Sequence, residues 1–346
     1  MLVAPLNWGL GHATRCIPII KALIEANFEP ILASDGNALL LLQKEFPLLK
    51  SYTLPSYHIK YTKSSKYLKL KLLLSVPAIL NAFKKEQKVV AEIMKEEQIS
   101  GIISDNRFGV YHSNIPTVYI SHQLTVLSGT TTFITSKIHQ KFIKKFTECW
   151  VPDSESEQNL SGKLGHLSRS SLNIKYIGAL SRFKKQETAL KYHLMVLLSG
   201  PEPQRTLLEN KLLFELKQFK GTVLFVRGVI SEEQLINAPQ NFKIVNYFLS
   251  NDLEIALNQS KVIISRSGYS TMMDLSAVGK KAFFIPTPGQ FEQEYLAEIC
   301  EEKGIAPFSN QNDFRLDHLK KTASFTGFQA SATTLDFRLF QLFHGK

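Results

Sequence analysis

Residues 7–16 combine side chains that can do chemistry with glycines that shape a turn, in the order N-W-G-L-G-H-A-T-R-C. They follow an apolar run that predicts a strand, and residues 17–26 have the apolar spacing of a helix. Backbone N–H groups at the start of such a helix favour a negative group. The turn is therefore a candidate anion site that contains Gly11 and His12. The alternative is a tight structural turn that His12 merely caps, and the dinucleotide fingerprint is excluded because its third glycine is missing.

Two further Gly-containing turns follow predicted strands in the second half of the chain. Ser199 and Gly200 lie in L-L-S-G-P-E-P-Q, and residues 262–275 read V-I-I-S-R-S-G-Y-S-T-M-M-D-L. This second turn offers a phosphate hydrogen-bond donors from backbone N–H groups and hydroxyls, and one permanent positive charge. The residues concerned are Arg266, Ser267, Gly268, Ser270 and Thr271. Asp274, one helical turn later, can accept hydrogen bonds from a ribose diol. The alternative is that Ser270 only caps the helix and Asp274 only favours its dipole.

Length and composition limit the class of protein. With 346 residues and 44% apolar side chains, the chain is long enough for two domains with ordinary cores. Its three cysteines form no C-x-x-C pair, which argues against a disulfide framework or a zinc knuckle and fits a reduced, cytoplasmic compartment. The start lacks a basic signal-peptide region, and no apolar stretch approaches the roughly 18 residues that span a bilayer. We expect a soluble or peripheral protein.

The formal charge of +11 is concentrated in the first half, where residues 1–150 hold 18 Lys and Arg against 10 Asp and Glu. Lysines alternate with Tyr, Leu and Phe in residues 60–74, which include Lys60, Lys63, Lys66 and Lys69, and in residues 137–146. Such mixtures suit an anionic membrane surface at the inner face of the membrane. The alternative is a solvated helical face. Binding to nucleic acid is not expected, because no reader motif accompanies the charge.

Short apolar runs alternate with amphipathic stretches, which predicts an α/β fold of parallel sheets with helices on both faces. The first set of predicted strands is Leu2–Pro5, Glu29–Ala33, Gly101–Ser104, Thr117–Ile120, Glu148–Val151 and Lys175–Ile177, with helices at Ala78–Glu97 and Thr132–Phe146. The pattern restarts after the polar residues 181–188. The second set is His193–Leu198, Gly221–Val226, Phe242–Val245, Lys261–Ser265 and Lys281–Ile285, with helices at Gln204–Gln218 and Ser270–Val278. We therefore predict two doubly wound domains, with ligands at the carboxyl ends of the strands.

Residues 245–297 resemble the C-terminal domain of family 28 glycosyltransferases, whose best-known member adds N-acetylglucosamine to a peptidoglycan lipid intermediate. The likeness covers roughly 130 residues and rests on an ordered run of motifs rather than on one turn. It implies a GT-B fold, in which two Rossmann-like domains face each other across a cleft. Residues 1–184 would form the domain that faces the acceptor and the membrane. Residues 185–346 would bind the nucleotide sugar, with a last helix that can pack back on the first domain.

The resemblance also implies roles for single residues. Arg266, Ser267, Gly268 and Thr271 match the family's donor-phosphate turn, and Asp274 stands where the family usually has a ribose-binding Glu. Glu292 and Gln293 fall where the family has polar residues that touch the sugar, and Leu249–Leu253 corresponds to the base-binding loop. The N-terminal turn matches the family's glycine loop, with His12 at its histidine.

Transfer from a sugar nucleotide breaks the C1–O bond to a diphosphate, so a catalyst must stabilise charge on that diphosphate and remove a proton from the acceptor hydroxyl. We rank His12 first as the base, Asp105 second and His122 third; the last two end predicted strands. Each also has a purely structural alternative. The chain has no D-x-D pair, so we expect metal-independent transfer, without a cofactor and with inversion as in the family.

The expected function is transfer of a hexose or N-acetylhexosamine from a nucleoside-diphosphate sugar, with UDP as the expected carrier, to a glycan or lipid-linked hydroxyl. One rival is a nucleotide-sugar 2-epimerase of the same fold, which would turn over UDP-sugar without an acceptor. The basic, aromatic first domain argues against it. The other rival is a non-catalytic module that binds a nucleotide sugar or polyanion and releases no nucleoside diphosphate.

Overall fold

The computed structural model divides the chain into two compact units. It describes residues 1–57, 68–200, 202–229, 238–331 and 335–344, with side chains for all of these except residues 68–80. The first unit contains residues 1–57, 69–180 and 335–344, and the second contains the described residues from Ser181 to 331.

Seven parallel strands form the sheet of the first unit. In chain order they are β1 (Leu2–Pro5), β2 (Ile31–Ser34), β3 (Ser51–Thr53), β4 (Ile102–Asp105), β5 (Thr117–Ile120), β6 (Glu148–Val151) and β7 (Ile174–Tyr176). Their order across the sheet is β3-β2-β1-β4-β5-β6-β7, and every pairing is parallel. The order reverses direction between β1 and β4, and the carboxyl ends of strands at such a point open a crevice for ligands.

Four helices connect these strands. They are α1 (Gly11–Glu25), α2 (Gly36–Glu45), α3 (Leu68–Glu96) and α4 (Thr132–Ile143), with 3₁₀ turns at Gly129–Thr131, Gly162–Leu164 and Phe337–Phe343. Right-handed crossovers place α1 and α2 on one face of the sheet and α3 on the other. Val90 and Ile93 of α3 accordingly pack with Leu2 and Ala4 of β1 in one buried cluster.

The last described residues belong to the first unit. Phe340 and Phe343 are buried, and their ring centroids lie 6.3 and 6.1 Å from that of Trp150 on β6. A Cβ at Gly101 would collide with the Phe343 ring, so the glycine before β4 leaves room for this aromatic side chain. The segment therefore completes the core of a sheet formed more than 150 residues earlier in the chain.

The second unit has a five-stranded parallel sheet, in the order β10-β9-β8-β11-β12. Its strands are β8 (Tyr192–Leu197), β9 (Val223–Val226), β10 (Phe242–Val245), β11 (Ser260–Ser265) and β12 (Lys281–Phe284). Its helices are α5 (Gln204–Glu215), α6 (Ser250–Asn258), α7 (Tyr269–Val278) and α8 (Phe291–Glu302), with 3₁₀ turns at Leu216–Gln218 and Leu316–Ser324. Here the order reverses between β8 and β11. Leu208 and Leu212 of α5 pack on Val196 of β8 and Phe225 of β9.

The predicted fold class, two doubly wound α/β sheets, is confirmed. Four predicted strands have the observed bounds, namely Leu2–Pro5, Thr117–Ile120, Glu148–Val151 and Phe242–Val245. Among the helices, the one predicted at Ala78–Glu97 begins ten residues earlier, at Leu68, and the one predicted at Thr132–Phe146 ends at Ile143. The prediction omitted β3, α2, α6 and α8.

Candidate active site

The glycine loop, residues 6–10, joins β1 to α1 where the strand order of the first unit reverses. Gly9 has a φ of 74°, a conformation that favours glycine. Leu10 precedes α1 and has no polar side chain with which to cap it, and Gly11 is the first helical residue. His12 is the second, so its side chain stands at the carboxyl ends of β1 and β4.

Asn7 ties this loop to the connection between β2 and α2. Its Nδ2 donates to Asp35 Oδ2 at 3.1 Å, and its Oδ1 accepts from the backbone N–H of Ala38 at 3.3 Å. Gly36 has a φ of 50°, and a Cβ there would collide with the Asn7 amide. Position 36 therefore requires glycine both for its backbone and for the close approach of Asn7.

His12 and Asp105 are in contact although 93 residues separate them. Asp105 is the last residue of β4 and pairs in register with Pro5, the last residue of β1. Its carboxylate is fully buried, whereas the His12 side chain is 15% exposed, and His12 Nδ1 lies 2.9 Å from Asp105 Oδ1. Arg15 Nη2, which can only donate, lies 2.8 Å from the same ring nitrogen. The tautomer with its proton on Nδ1 donates to Asp105 and leaves a lone pair on Nε2, whereas the tautomer with its proton on Nε2 accepts from Arg15.

The surrounding charges set the protonation of this pair. Burial would raise the pKa of Asp105, but attraction to Arg15 and His12 and the hydrogen bonds from both outweigh burial and hold that pKa well below its usual range. Burial lowers the pKa of His12, attraction to Asp105 opposes this effect, and the Arg15 charge adds to the lowering. At neutral pH the pair is a carboxylate beside a neutral imidazole.

The contacts of Asp105 suit it to orienting His12, and its second rank as a candidate base stays a prediction. The Asp105 side chain has no exposed surface, and both of its oxygens accept hydrogen bonds from the guanidinium of Arg15. A carboxylate that is buried and bonded in this way is held in place beside His12.

Arg15 also fixes the third candidate, His122, at the end of β5. Arg15 Nη1 lies 3.0 Å from His122 Nδ1. Because a guanidinium only donates, Nδ1 of His122 is the acceptor in this contact. His122 is thus a partner of Arg15, and its third rank as a candidate base stays a prediction. Sequence reasoning gave Arg15 no role, although its spacing of three from His12 on a helix was an available signal.

A second buried ion-pair network braces the loop from α3. Arg107 is fully buried and donates through Nε to Glu86 Oε1 at 2.6 Å and through Nη1 to Asp35 Oδ1 at 2.8 Å. Tyr57 donates its hydroxyl to the other oxygen of Glu86 at 2.5 Å. Asp35 therefore joins this network to Asn7 of the glycine loop. No sequence motif had singled out these residues.

The two glycine turns of the second unit lie side by side. Leu197 of β8 pairs with Ser265 of β11, so Ser199 and Gly200 follow one strand where residues 266–268 follow its neighbour. Gly200 has a φ of 102°, and a Cβ there would meet no described atom within 4 Å. Gly268 precedes α7 and has no side chain to cap it, so the helix presents backbone N–H groups to this turn. Ser270 and Thr271 are half-buried in its first turn.

The Arg266 side chain is engaged inside the protein, and its expected contact with a donor phosphate stays a prediction. Arg266 is 1% exposed, and burial lowers its pKa to about 9. Its two terminal nitrogens donate to four acceptors, which are the carbonyl oxygens of Ile285 (3.0 Å), Pro286 (3.0 Å) and Gln204 (2.9 Å) and Oε1 of Gln311 (2.7 Å). The residue holds the ends of three segments together beneath the turn.

Ser267 and Gln293 connect the same turn to α8. Ser267 donates its hydroxyl to the backbone oxygen of Gln293 at 2.6 Å, and its expected role in binding phosphate stays a prediction. Gln293 Oε1 accepts from the backbone N–H of Thr287 at 2.8 Å. Glu292 is half-buried in the first turn of α8, where a carboxylate is favoured by the helix dipole.

Asp274 lies on α7, one turn beyond Ser270. It is half-buried, and its Oδ1 accepts the hydroxyl proton of Ser181 at 2.7 Å. Burial raises the pKa of Asp274 to about 6, and this value is reached against the opposing effects of Arg182 and Ser181. The expected base-binding segment, Leu249–Leu253, consists of the residue before α6 and the first four residues of that helix, and its role stays a prediction.

Sequence reasoning missed a buried polar cluster near that helix. Arg227, which follows β9, donates through Nη1 to Asn246 Oδ1 at 2.9 Å and through Nε to Glu209 Oε1 at 2.7 Å. Asn246 follows β10, so this cluster links the carboxyl ends of two neighbouring strands to α5.

Parts of the expected membrane-facing surface can be described. Lys60, Lys63 and Lys66 lie outside the described residues, and only the backbone is described at Lys69, so their role stays a prediction. In the parts of the chain that the structure describes, no helix is long and apolar enough to cross a membrane, and no three metal-binding side chains are grouped as metal ligands would be.

Residues 204–324 match the model of the glycosyltransferase family 28 C-terminal domain. Among curated proteins, the UDP-N-acetylglucosamine--N-acetylmuramyl-(pentapeptide) pyrophosphoryl-undecaprenol N-acetylglucosamine transferase of Haemophilus ducreyi is 26% identical over 212 residues, which span 60% of this chain and 56% of the relative. The protein of the same name from Buchnera aphidicola is 25% identical over 324 residues, or 90% of this chain and 85% of the relative.

The crystal structure of Acinetobacter baumannii MurG superposes with a TM-score of 0.58 at 13% identity, covering 98% of both chains. At that identity the likeness shows the fold alone, which is GT-B. With the family match, it confirms the predicted resemblance and the predicted class of enzyme.

Proposed function

We propose that this chain, a glycosyltransferase with a family 28 C-terminal domain, moves a hexose or N-acetylhexosamine from a UDP-sugar to a hydroxyl of a lipid-linked glycan. The names of the two curated relatives support this choice of substrates, because both specify a UDP-N-acetylglucosamine donor and an acceptor on pyrophosphoryl-undecaprenol. From these names we take for this chain only the class of donor and the class of acceptor, and not the identity of the transferred sugar.

The observation that carries the proposal is the 2.9 Å contact of His12 Nδ1 with the buried carboxylate of Asp105. It orients a neutral imidazole so that Nε2 can accept a proton. In the reaction, the acceptor oxygen attacks C1 of the donor sugar as its proton passes to Nε2. The bond from C1 to the diphosphate oxygen breaks with its electron pair, and UDP leaves. Attack opposite the leaving group inverts the configuration at C1.

The second unit supplies the groups that suit the diphosphate. Backbone N–H groups at the start of α7 and beside Gly200 can stabilise growing negative charge without a side-chain cation. The carboxylate of Asp274 suits the ribose hydroxyls. Since these groups need no bridging metal, we expect EDTA to leave transfer unchanged; recovery of lost activity only by Mg²⁺ or Mn²⁺ would contradict this part of the proposal.

We further propose that α4 touches an anionic membrane at the cytoplasmic face. Phe133, Ile134 and Ile138, the α4 patch, are 74, 61 and 53% exposed. Lys137, whose Nζ lies 5.7 Å from the Phe133 ring centroid, stands within it, and Lys141 and Lys144 are exposed in the next turn. Apolar side chains flanked by lysines suit the headgroup region of anionic lipids.

The test begins with the donor. UDP, UDP-sugars and other nucleotide sugars are compared for protection against thermal unfolding, because ligand at 100 times its dissociation constant adds about 2.7 kcal/mol of stability. The protecting sugar nucleotide, radiolabelled, is then incubated with polyprenyl-pyrophosphoryl glycans, and labelled lipid and released UDP are measured. Turnover without any acceptor would instead indicate the epimerase.

The role of His12 is tested with His12→Gln against His112→Gln, a matched change at a half-buried histidine of the same unit. We expect His12→Gln to lower kcat about 10²- to 10⁴-fold with unchanged UDP affinity, because only proton removal is lost. His112→Gln should behave as the unaltered protein. Retention of full transfer by His12→Gln would remove the base assignment.

A further inference from the structure

Arg15 contacts the proposed base, His12, and two side chains beside it, Asp105 and His122. It bonds both oxygens of Asp105, and its Nη1 reaches His122 at 3.0 Å. Its Nη2 lies 2.8 Å from His12 Nδ1, the same ring nitrogen that lies 2.9 Å from Asp105. One ring nitrogen of His12 therefore faces a donor and an acceptor at nearly equal distance.

This arrangement decides whether His12 can work as a base. A buried carboxylate alone beside an imidazole favours the imidazolium, which has no lone pair for a substrate proton. A guanidinium on the same carboxylate offsets that attraction. The groups that face His12 are Asp105, Arg15, His122 and, at 3.4 Å, the uncharged Asn106 amide, while Cys16 faces Asp105 at 3.7 Å. Arg15 is the permanently positive member of this set.

We propose that Arg15 is a positioning residue of the transfer reaction, which holds Asp105 by both oxygens and keeps His12 uncharged at rest. The inference depends on the proposed role of His12 as the base. His122 takes part by accepting from Nη1, which fixes the plane of the guanidinium. After Nε2 takes the acceptor proton, the imidazolium still donates its Nδ1–H to Asp105. The positive charge of Arg15 then favours release of the Nε2 proton to solvent.

The first test is the pH dependence of kcat/KM in Arg15→Gln, Arg15→Lys and Arg169→Gln. Removal of the charge by Arg15→Gln should move the acidic limb of the profile to higher pH by about one unit. At a pH below the limb, kcat/KM should then be about tenfold lower than in the unaltered protein, and above the limb the two values should be equal. Arg15→Lys keeps the charge but loses the paired contact with Asp105, so kcat should fall with a smaller shift of the limb. Arg169 is exposed in the same unit, and its loss should shift nothing.

The second test does not need the reaction. The ring nitrogens of His12 are titrated by ¹⁵N NMR in the protein without substrate, with the signal assigned by its absence in His12→Gln. The midpoint should rise in Arg15→Gln and return toward the original value in Arg15→Gln/Asp105→Asn, because both charges are then absent. If Arg15→Gln alone fails to fold, the double variant can still be measured, because Asp105→Asn removes the buried charge that the loss of Arg15 leaves without its cation.

The two tests separate the inference from the proposed function. Unchanged activity in His12→Gln would remove the base, while the NMR midpoint would still report whether Arg15 sets the charge of His12. If Arg15→Gln lowers kcat but leaves both the acidic limb and the NMR midpoint in place, Arg15 only supports the fold and the inference is wrong.

Discussion

The hydroxyl of Ser181 donates to Asp274 at 2.7 Å, so the carboxylate proposed to bind ribose is bonded to the first residue of the second unit. This bond favours the ionised form, whereas burial favours the protonated form and raises the pKa of Asp274 to about 6. The charge of this carboxylate therefore changes near physiological pH.

We expect UDP to bind about tenfold more weakly at pH 5 than at pH 7, a loss of roughly 1.4 kcal/mol, because a protonated Asp274 is a poorer acceptor for the ribose hydroxyls. Ser181→Ala removes a bond to the ionised form and should move the midpoint of this dependence upward. Calorimetric titration across this range measures it. The terminal phosphate of UDP titrates near pH 6 as well, so Asp274→Asn serves as the control that keeps only the phosphate's contribution. Parallel pH curves for the two proteins would contradict the prediction.

Arg266→Met should destabilise the second unit by about 3–5 kcal/mol, because four buried acceptors lose their donor at once. Urea unfolding measures the change. Arg169→Met is the control for loss of a positive charge from an exposed position. If instead stability is unchanged and UDP affinity falls, Arg266 binds phosphate as the sequence had suggested.

Gly36→Ala should reduce both stability and kcat, because the new Cβ displaces Asn7 and loosens the glycine loop that carries His12. Gly178→Ala is the matched control, since Gly178 has a similar positive φ of 77° and a Cβ there would meet no described atom within 4 Å. Both variants share the backbone strain, of order 1 kcal/mol. Only Gly36→Ala should also slow transfer, and equal kcat values in the two variants would show that Asn7 does not position the loop.

Replacement of the α4 patch by serine at Phe133, Ile134 and Ile138 should lower binding to anionic vesicles at least tenfold. The physical reason is the loss of apolar surface at about 25 cal/mol per Å². Phe214→Ser changes a side chain of similar exposure, 67%, on α5 of the second unit and should leave vesicle binding intact. Co-sedimentation at low and at physiological salt measures both, since the lysine contribution is screened over about 8 Å. Equal binding of all variants to the vesicles would show that the exposed face of α4 is a solvated surface and does not contact the membrane.

The sequence predicted the buried strands well because a strand buried on both faces is a continuous apolar run. Ile102, Ile103, Val118 and Ile120 are of this kind, and each is fully buried. Two of the missed elements lack such a signal. β3 is three residues long and partly exposed, and the buried face of α8 includes the polar Gln293 beside Leu296, Ala297 and Cys300. Their existence depends on packing against neighbours that a single window of sequence does not contain.

The sequence indicated which residue types belong to the candidate site, but it did not indicate which of them contact each other. His12 stood out because it follows a glycine turn at the predicted start of a helix, where a histidine can either cap the turn or take part in chemistry. Its pairing with Asp105 across 93 residues depends on the adjacency of β1 and β4, which the alternation of elements implies but does not fix. The inward engagement of Arg266 was beyond prediction, because the turn alone does not reveal that carbonyls just after β12, the carbonyl at the start of α5 and the side chain of Gln311 converge on the guanidinium.

The packing of Phe340 and Phe343 on Trp150 also bears on how the chain folds during its synthesis. The second unit is continuous from Ser181 onward, so all of its strands have emerged before the aromatic segment that closes the first core. Until residues 337–343 have emerged from the ribosome, the first unit therefore exposes Trp150 and the neighbourhood of Gly101, while the strands of the second unit can already pair. The order of maturation would be the reverse of the order of synthesis. Emergence of residues 337–343 would then be the step that protects the first core from aggregation.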